Sequence, residues 1–232
     1  MNATDEFLER LQKQDLVITG RLVDASNATL FGHLLNDEDI KIIYKPVAGE
    51  RPLWDFPVGS LAGREYCAYL FSEEFGFNLV PTTVLRDGPF GFGMVQTWLD
   101  DAQPESLITF SQGDHPHLRK MALFDAVINN ADRKYGHILL TKNSQVLGCD
   151  HGVTFHHEDK LRTVLWQFAG ENLDSTEIYT LENINDFDLG FLEEHITNIE
   201  IAAIKKRVHS LLENGVLPLP ATDRPSIPWP PI

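Results

Sequence analysis

The chain has 232 residues, 43% of them hydrophobic, which suits one domain of two lobes or two small domains and supplies a real core. Lys and Arg number 19 against 34 Asp and Glu, a formal net charge of −15, which counts against nucleic acid and an anionic membrane surface as partners. Cys67 and Cys149 lie in apolar stretches, the N-terminal residues are acidic without an apolar signal core, and no apolar run approaches a membrane span, so a reduced cytoplasmic protein with no transmembrane segment is expected.

Residues 4–14 pattern as an amphipathic helix, with Phe7, Leu8 and Leu11 on one side and Thr4 or Asp5 as cap. Strands follow over 16–23, 29–35 and 40–45, joined by the polar turns Asp24–Ala28 and Asn36–Asp39, which makes an antiparallel meander. A loop rich in Gly, Pro and aromatics runs from Pro46 to Gly59. Residues 60–75 read as a helix, with Leu61, Glu65, Ala68, Tyr69 and Phe75 at helical spacing and Gly76 as its stop. Two more strands, 80–86 and 91–99, flank an Asp87-Gly-Pro turn. Asp100 to Gly113 is a polar connection and the expected boundary. Beyond it, Leu118, Met121, Ala122, Asp125 and Ile128 share a helical face, and Asp125 is the one polar intruder on it. A hairpin over 137–149, a loop with Trp166 and Phe168, a helix over Thr197–Glu213 ended by Gly215, and a proline-rich tail from Leu217 to Ile232 follow. The expectation is an α+β chain: an antiparallel-sheet lobe with a helix (1–100), a mainly helical lobe (101–216) and the tail (217–232).

The chemistry concentrates between Phe124 and Gly152. An apolar run cannot end in Asn129-Asn-Ala-Asp-Arg-Lys134 and stay buried, so Asp132 is offered to solvent or ligand at a helix end. Asp150 follows Val146-Leu-Gly-Cys149 and precedes His151-Gly152, which sets it at the mouth of a strand. Two carboxylates at neighbouring loop and strand ends can serve as base and metal ligand, the pair that phosphoryl transfer needs. The plainer alternatives are a helix-terminal Asp bonded to loop amides and a turn Asp before Gly.

Asn130-x-Asp-Arg-x-x-Gly-His137, followed by Cys149-Asp-His-Gly152, resembles the catalytic and metal-binding loops of the phosphoinositide-kinase-like superfamily. That group includes lipid kinases and, more distantly, HipA-type bacterial protein kinases; the resemblance is strongest to bacterial proteins grouped as phosphatidylinositol-kinase-like. It covers about residues 15 to 215, and its specific part is the motif region. It implies a two-lobed atypical protein-kinase-like fold, in which three strands, a helix and two strands build the N-lobe. It also implies an ATP-dependent phosphotransferase using Mg or Mn and acting on a protein or small-molecule hydroxyl. On that reading Asp132 is the catalytic base, Asp150 a metal ligand and Lys45 the phosphate-neutralising cation, held by Glu65 in an ion pair. Ser26, Asn27 and Thr29 in the first hairpin would cap phosphates, since no Gly-rich loop is present there. Met94, Val95 and Gln96 would form the hinge that receives adenine. Lys160, Arg162 and Trp166 fall in the activation-loop region, where an acceptor is chosen.

His137 departs from the family, which places a metal-binding Asn there. Neutral His binds Mg poorly, so the swap implies a one-metal site, a Mn preference or weakened catalysis. The alternative reading is a nucleotide-binding pseudokinase acting as a regulatory module, favoured by His137 and opposed by Asp132, Asp150 and Lys45. A histidine-rich metallohydrolase is a further competitor, but His115, His117, His151, His156 and His157 match no zinc spacing.

Overall fold

The computed structural model describes residues 3–22, 27–99, 104–141 and 145–232. Five strands form one antiparallel sheet: β1 (Leu16–Arg21), β2 (Leu30–Leu34), β3 (Asp37–Pro46), β4 (Thr83–Gly88) and β5 (Gly91–Thr97). Their order is β1-β2-β3-β5-β4. Helix α2 (Leu61–Glu74) connects β3 to β4, and β5 then returns between those two strands. β3 is thereby central, with Lys45 paired in register with Met94. Side chains alternate along a strand. Ile42 and Tyr44 therefore enter one core, while Lys45 faces the other way, toward α2.

Helix α1 (Ala3–Lys13) closes the Tyr44 face: Leu11 packs with Leu16, Leu34, Ile42, Tyr44, Val84 and Val95. Arg86 on β4 donates to Leu11 O and Gln14 O, satisfying carbonyls that the end of α1 leaves free. The other side of the molecule is helical: α3 (Pro104–Ser111), α4 (Pro116–Ile128), α5 (Ser175–Asp186) and α6 (Asn198–Asn214), with the short hairpin of β6 (Ile138–Leu140) and β7 (Val146–Gly148). Its core gathers Leu118, Phe124, Ile138, Phe155, Leu181 and Ile204. Cys67, Ala68 and Phe71 of α2 belong to that same core. α2 is thus the shared wall between sheet and helices, and the chain is a two-lobed α+β molecule.

Several expected boundaries shift. β3 starts at Asp37 because Asn36 adopts the left-handed conformation (φ 63°), which lets the hairpin turn in two residues. The connection expected over 100–113 contains α3. α5 was not expected, although Asp174 and Glu177 form a capping box at its start, a pattern visible in sequence. Arg119 on α4 grips both Glu177 oxygens at 2.8 and 2.9 Å and fixes α5 against α4. The tail is pinned along its length: Leu217 O accepts from Gly170 N and Leu217 N donates to Glu171 O, Ser226 O accepts from Thr163 N and Trp166 Nε1, and Pro231 O accepts from Tyr135 N. Among the described residues no helix is long and apolar enough to cross a membrane.

Candidate active site

The loop after α4 is built from its first residue. Asn129 ends the helix at φ 56°, ψ 52°, a left-handed position that Asn tolerates better than most side chains. Its side chain donates to His156 O and Glu158 O and accepts from Lys160 N, tying the segment beyond Gly152 to the loop. Asn130 donates to Asp125 Oδ1 and accepts from Asp132 N. Asp132 is thus braced by backbone, and its carboxylate stands free at the loop surface, 28% exposed, with Lys134 Nζ 3.6 Å away. Burial raises its carboxyl above the ordinary Asp value; Lys134 opposes that and Asp150 adds to it.

Arg133 is wholly buried and joins both loops. Its Nε and Nη2 hold the two Asp125 oxygens at 2.8 and 2.9 Å. Nη1 donates to His137 O and Cys149 O, and Nη2 to His151 Nε2 at 2.7 Å. The polar intruder on α4 is therefore the anchor of the arginine in the loop that follows it. Neither residue stood among the expected site residues; Asp125 on an apolar face was the available signal.

Asp150 follows β7 in the left-handed conformation (φ 58°). Its Oδ1 lies 2.7 Å from Lys45 Nζ, and Lys45 Nζ lies 2.6 Å from Glu65 Oε1. Glu65 Oε2 accepts from His151 N at 2.8 Å, so one carboxylate on α2 holds both the lysine of β3 and the loop after β7. The Lys45 charge holds the Asp150 carboxyl well below the usual carboxylate range. Burial alone would lower Lys45, but Asp150 and Glu65 outweigh it and raise the ammonium above its ordinary value. Burial raises Glu65, with Lys45 opposing.

His137 Nδ1 lies 2.9 Å from Asp132 O, so Nδ1 carries the proton and donates it. Burial pulls the imidazole down to about 4, and it is neutral near pH 7. Its Nε2 lone pair then faces Asp150 Oδ2 at 3.4 Å. Two acceptors facing each other repel, and a divalent cation between or beside them removes the repulsion. This donor set, one carboxylate oxygen and one imidazole nitrogen, fits Mn better than Mg, which prefers oxygen alone. Among the described residues no three His, Cys, Asp or Glu side chains gather as a metal set.

Lys45, Glu65, Asp132 and Asp150 line a cleft of about 280 Å³ between the lobes, with Asn27, Thr29 and Arg162 also on its walls; His137 stands behind Asp150 and is not part of the lining. Asn27 Oδ1 accepts from Arg51 N, and Arg162 is aimed by donation to Ala131 O. Ser26 lies outside the described residues. Met94, Val95 and Gln96 sit in the middle of β5, buried, with both backbone edges paired to β3 and β4, and they do not line this cleft. Lys160 pairs with Asp55 at 2.6 Å and lies over the Trp54 ring, and Trp166 is committed to the tail. A larger cavity of about 620 Å³ lies elsewhere, against α6, and contains none of these site carboxylates.

No family model matches the sequence. In fold, the chain is similar to the Golgi casein kinase, with a TM-score of 0.60 at 13% identity over 92% of this chain and 75% of that one. The Golgi casein kinase with Mn/ADP bound gives 0.58 at 14% identity, over 90% and 74% of the two chains. The Helicobacter pylori proinflammatory kinase CtkA gives 0.51 at 10% identity, over 89% and 94%. In sequence, it is 41% identical over a 270-residue alignment to Protein Rv2133c of Mycobacterium tuberculosis, covering 99% of this chain and 97% of the relative. The two-lobed kinase fold is thus joined to a sequence relationship across nearly the full chain, and the chain belongs to the family of Protein Rv2133c.

Proposed function

We propose that the chain is an ATP-dependent phosphotransferase of the atypical, phosphoinositide-kinase-like type, acting on a hydroxyl of a protein or small soluble molecule. The observation that carries this reading is Lys45 Nζ standing 2.6 Å from Glu65 and 2.7 Å from Asp150. These three residues come from a strand, a helix and a loop, Lys45 and Asp150 standing 105 positions apart in sequence, and no turn or cap explains their meeting. Phosphoryl transfer is mostly positioning and charge neutralisation, and a buried cation held between two carboxylates supplies both. The solved Golgi casein kinase with Mn/ADP bound supports a nucleotide and a divalent metal in this fold.

In this scheme Lys45 neutralises nucleotide phosphates and Glu65 keeps its Nζ in place. Asn27 and Thr29 offer polar groups to the same phosphates at the mouth of the first hairpin. Asp132, with its carboxyl raised by burial, accepts the proton of the acceptor hydroxyl. Asp150 and His137 would hold the divalent metal, which when bound supplies the positive charge that offsets the transferring phosphate. The lobes divide at about residue 100, with the helical lobe to about 216 and the tail beyond. The charge of −15 favours a protein or small acceptor over a lipid headgroup.

The test is thermal stability with ATP, with and without Mn or Mg, on wild type and Asp150→Ala. Ligand bound only by the folded state adds about 2.7 kcal/mol at one hundred times its Kd. A metal-dependent rise in wild type that vanishes in Asp150→Ala is expected, with Mn giving the larger rise. No rise with any nucleotide would overturn the reading. One observation favours the alternative of a nucleotide-binding pseudokinase: Asp150 Oδ1 is already engaged by Lys45. Metal-dependent binding without label transfer from γ- or α-labelled ATP to any acceptor would select it.

A further inference from the structure

A cavity of about 620 Å³, larger than the cleft, lies apart from it. It lies between α6, the start of the tail and the segment around Leu161, and it is mostly apolar, with Leu161, Trp166, Leu211 and Leu217 in its walls. A space of this size matches drug-sized ligand sites. Its charge sets it apart from the rest of the molecule. Three of the 19 cations of the chain line it, Lys206, Arg207 and Arg224, against one of the 34 acids, Asp159. Lys206 and Arg224 are exposed, and among the described residues neither is paired with a carboxylate. Arg207 spends Nε on Val127 O and Nη1 on His156 O and leaves Nη2 without a hydrogen-bond partner. A cationic, apolar hollow on a surface that is otherwise strongly acidic fits a ligand that is itself apolar and carries a negative charge.

We propose that this cavity binds a small amphipathic anion: an aromatic or aliphatic body seated on Leu161, Trp166 and Leu211, with one anionic head toward Lys206, Arg207 and Arg224. The site is separate from the cleft and does not depend on phosphotransfer. One segment serves both cavities, since Leu161 lines one and its neighbour Arg162 lines the other.

A matched pair of fluorescent probes tests this. 1-Anilinonaphthalene-8-sulfonate carries an anionic head, and N-phenyl-1-naphthylamine has the same rings without it. The sulfonate is expected to bind the full chain with one-to-one stoichiometry and at least about tenfold more tightly than the neutral probe. Lys206→Ala with Arg224→Ala, both surface changes, should bring the two affinities together. Ser210→Trp, which fills the cavity from α6, should abolish binding of both, with circular dichroism melts confirming that it folds. Equal affinity of the two probes for wild type would overturn the proposal. So would sulfonate binding that survives Ser210→Trp in folded protein.

Discussion

Arg133 touches no proposed substrate, yet its five donors decide whether the site exists. Through Asp125 it is fixed to α4, and through His137 O, Cys149 O and His151 Nε2 it fixes the loops that carry Asp132 and Asp150. Both ends of the Arg133–Asp125 pair are fully buried. Removing one partner of such a pair leaves an uncompensated charge and costs about 3–5 kcal/mol. Asp125→Asn should therefore lose stability in that range by urea unfolding. A variant within about 0.5 kcal/mol of wild type would show that the pair does not brace the loops. The thiols give a second residue-scale prediction. Burial pushes the Cys67 thiol up to about 12, and Cys149, partly exposed as a residue, is raised to about 12 as well by burial of its thiol and by the Asp150 carboxylate beside it, so both stay mostly thiol at pH 8. A thiol-disulfide reagent should release almost no colour from the folded protein and two equivalents after denaturation. Rapid labelling of either cysteine in the native state would contradict this burial.

Among the elements, α2 and α6 are joined by a buried pair. Arg64 Nη2 lies 2.7 Å from Glu200 Oε1, and Glu200 also completes the capping box of α6 with Thr197. Burial alone would raise Glu200, but the Thr197 amide and the Arg64 charge prevail and hold it below 4.5. A carboxyl lowered on folding stabilises above its unfolded value and loses that contribution as pH falls through its folded value. Glu200→Gln mimics the protonated form. Wild type should exceed it in stability above about pH 4.5, and the gap should close toward lower pH in unfolding titrations. A constant gap would mean that the charge of Glu200 adds nothing. At the start of α5, Asp174→Ala removes a cap that accepts from Thr176 N and Glu177 N and should cost about 1 kcal/mol, read as a lowered urea midpoint.

The elements also explain what the sequence could and could not reveal. The sheet strands and α2 were legible because their apolar periods are regular and their turns are polar. Lys45, Glu65, Asp132 and Asp150 could be singled out because each stands at a fixed place in that order and in the loop motif. α3, at eight residues, is too short for a helical period to stand out, and α5 carries few apolar residues for its length, so only the Asp174 capping box marked it. The surroundings of Met94 to Gln96 were not legible because sequence order shows β5 as the last strand of its lobe, whereas pairing puts it between β3 and β4 with both edges used. Arg133 was invisible as a brace because three of its partners lie on other elements and two of them are backbone carbonyls.

Over the whole molecule, α2 makes the two lobes one cooperative unit. Its Cys67, Ala68 and Phe71 are buried in the helical core, while its Glu65 serves β3 and the loop after β7. Far-ultraviolet and near-ultraviolet circular dichroism should then report a single coincident unfolding transition. Residues 1–100 expressed alone would present Cys67, Ala68 and Phe71 to water and should associate or bind apolar dyes, where a self-sufficient lobe would stay monomeric. Two separated transitions would show that α2 does not couple the lobes.

The pinned tail bears on how the protein is handled. Pro231 O holds Tyr135 N, and a Cβ built on Gly136 would stand 3.9 Å from the Ile232 carbonyl carbon. Anything fused after Ile232 therefore begins beside the loop of Asp132 and His137. Chain added at that end lies beside the proposed base Asp132, so a transfer assay on a tagged preparation should be repeated with the tag removed. Tagging before α1, whose Leu11 packs on the sheet face away from Lys45, leaves the cleft untouched.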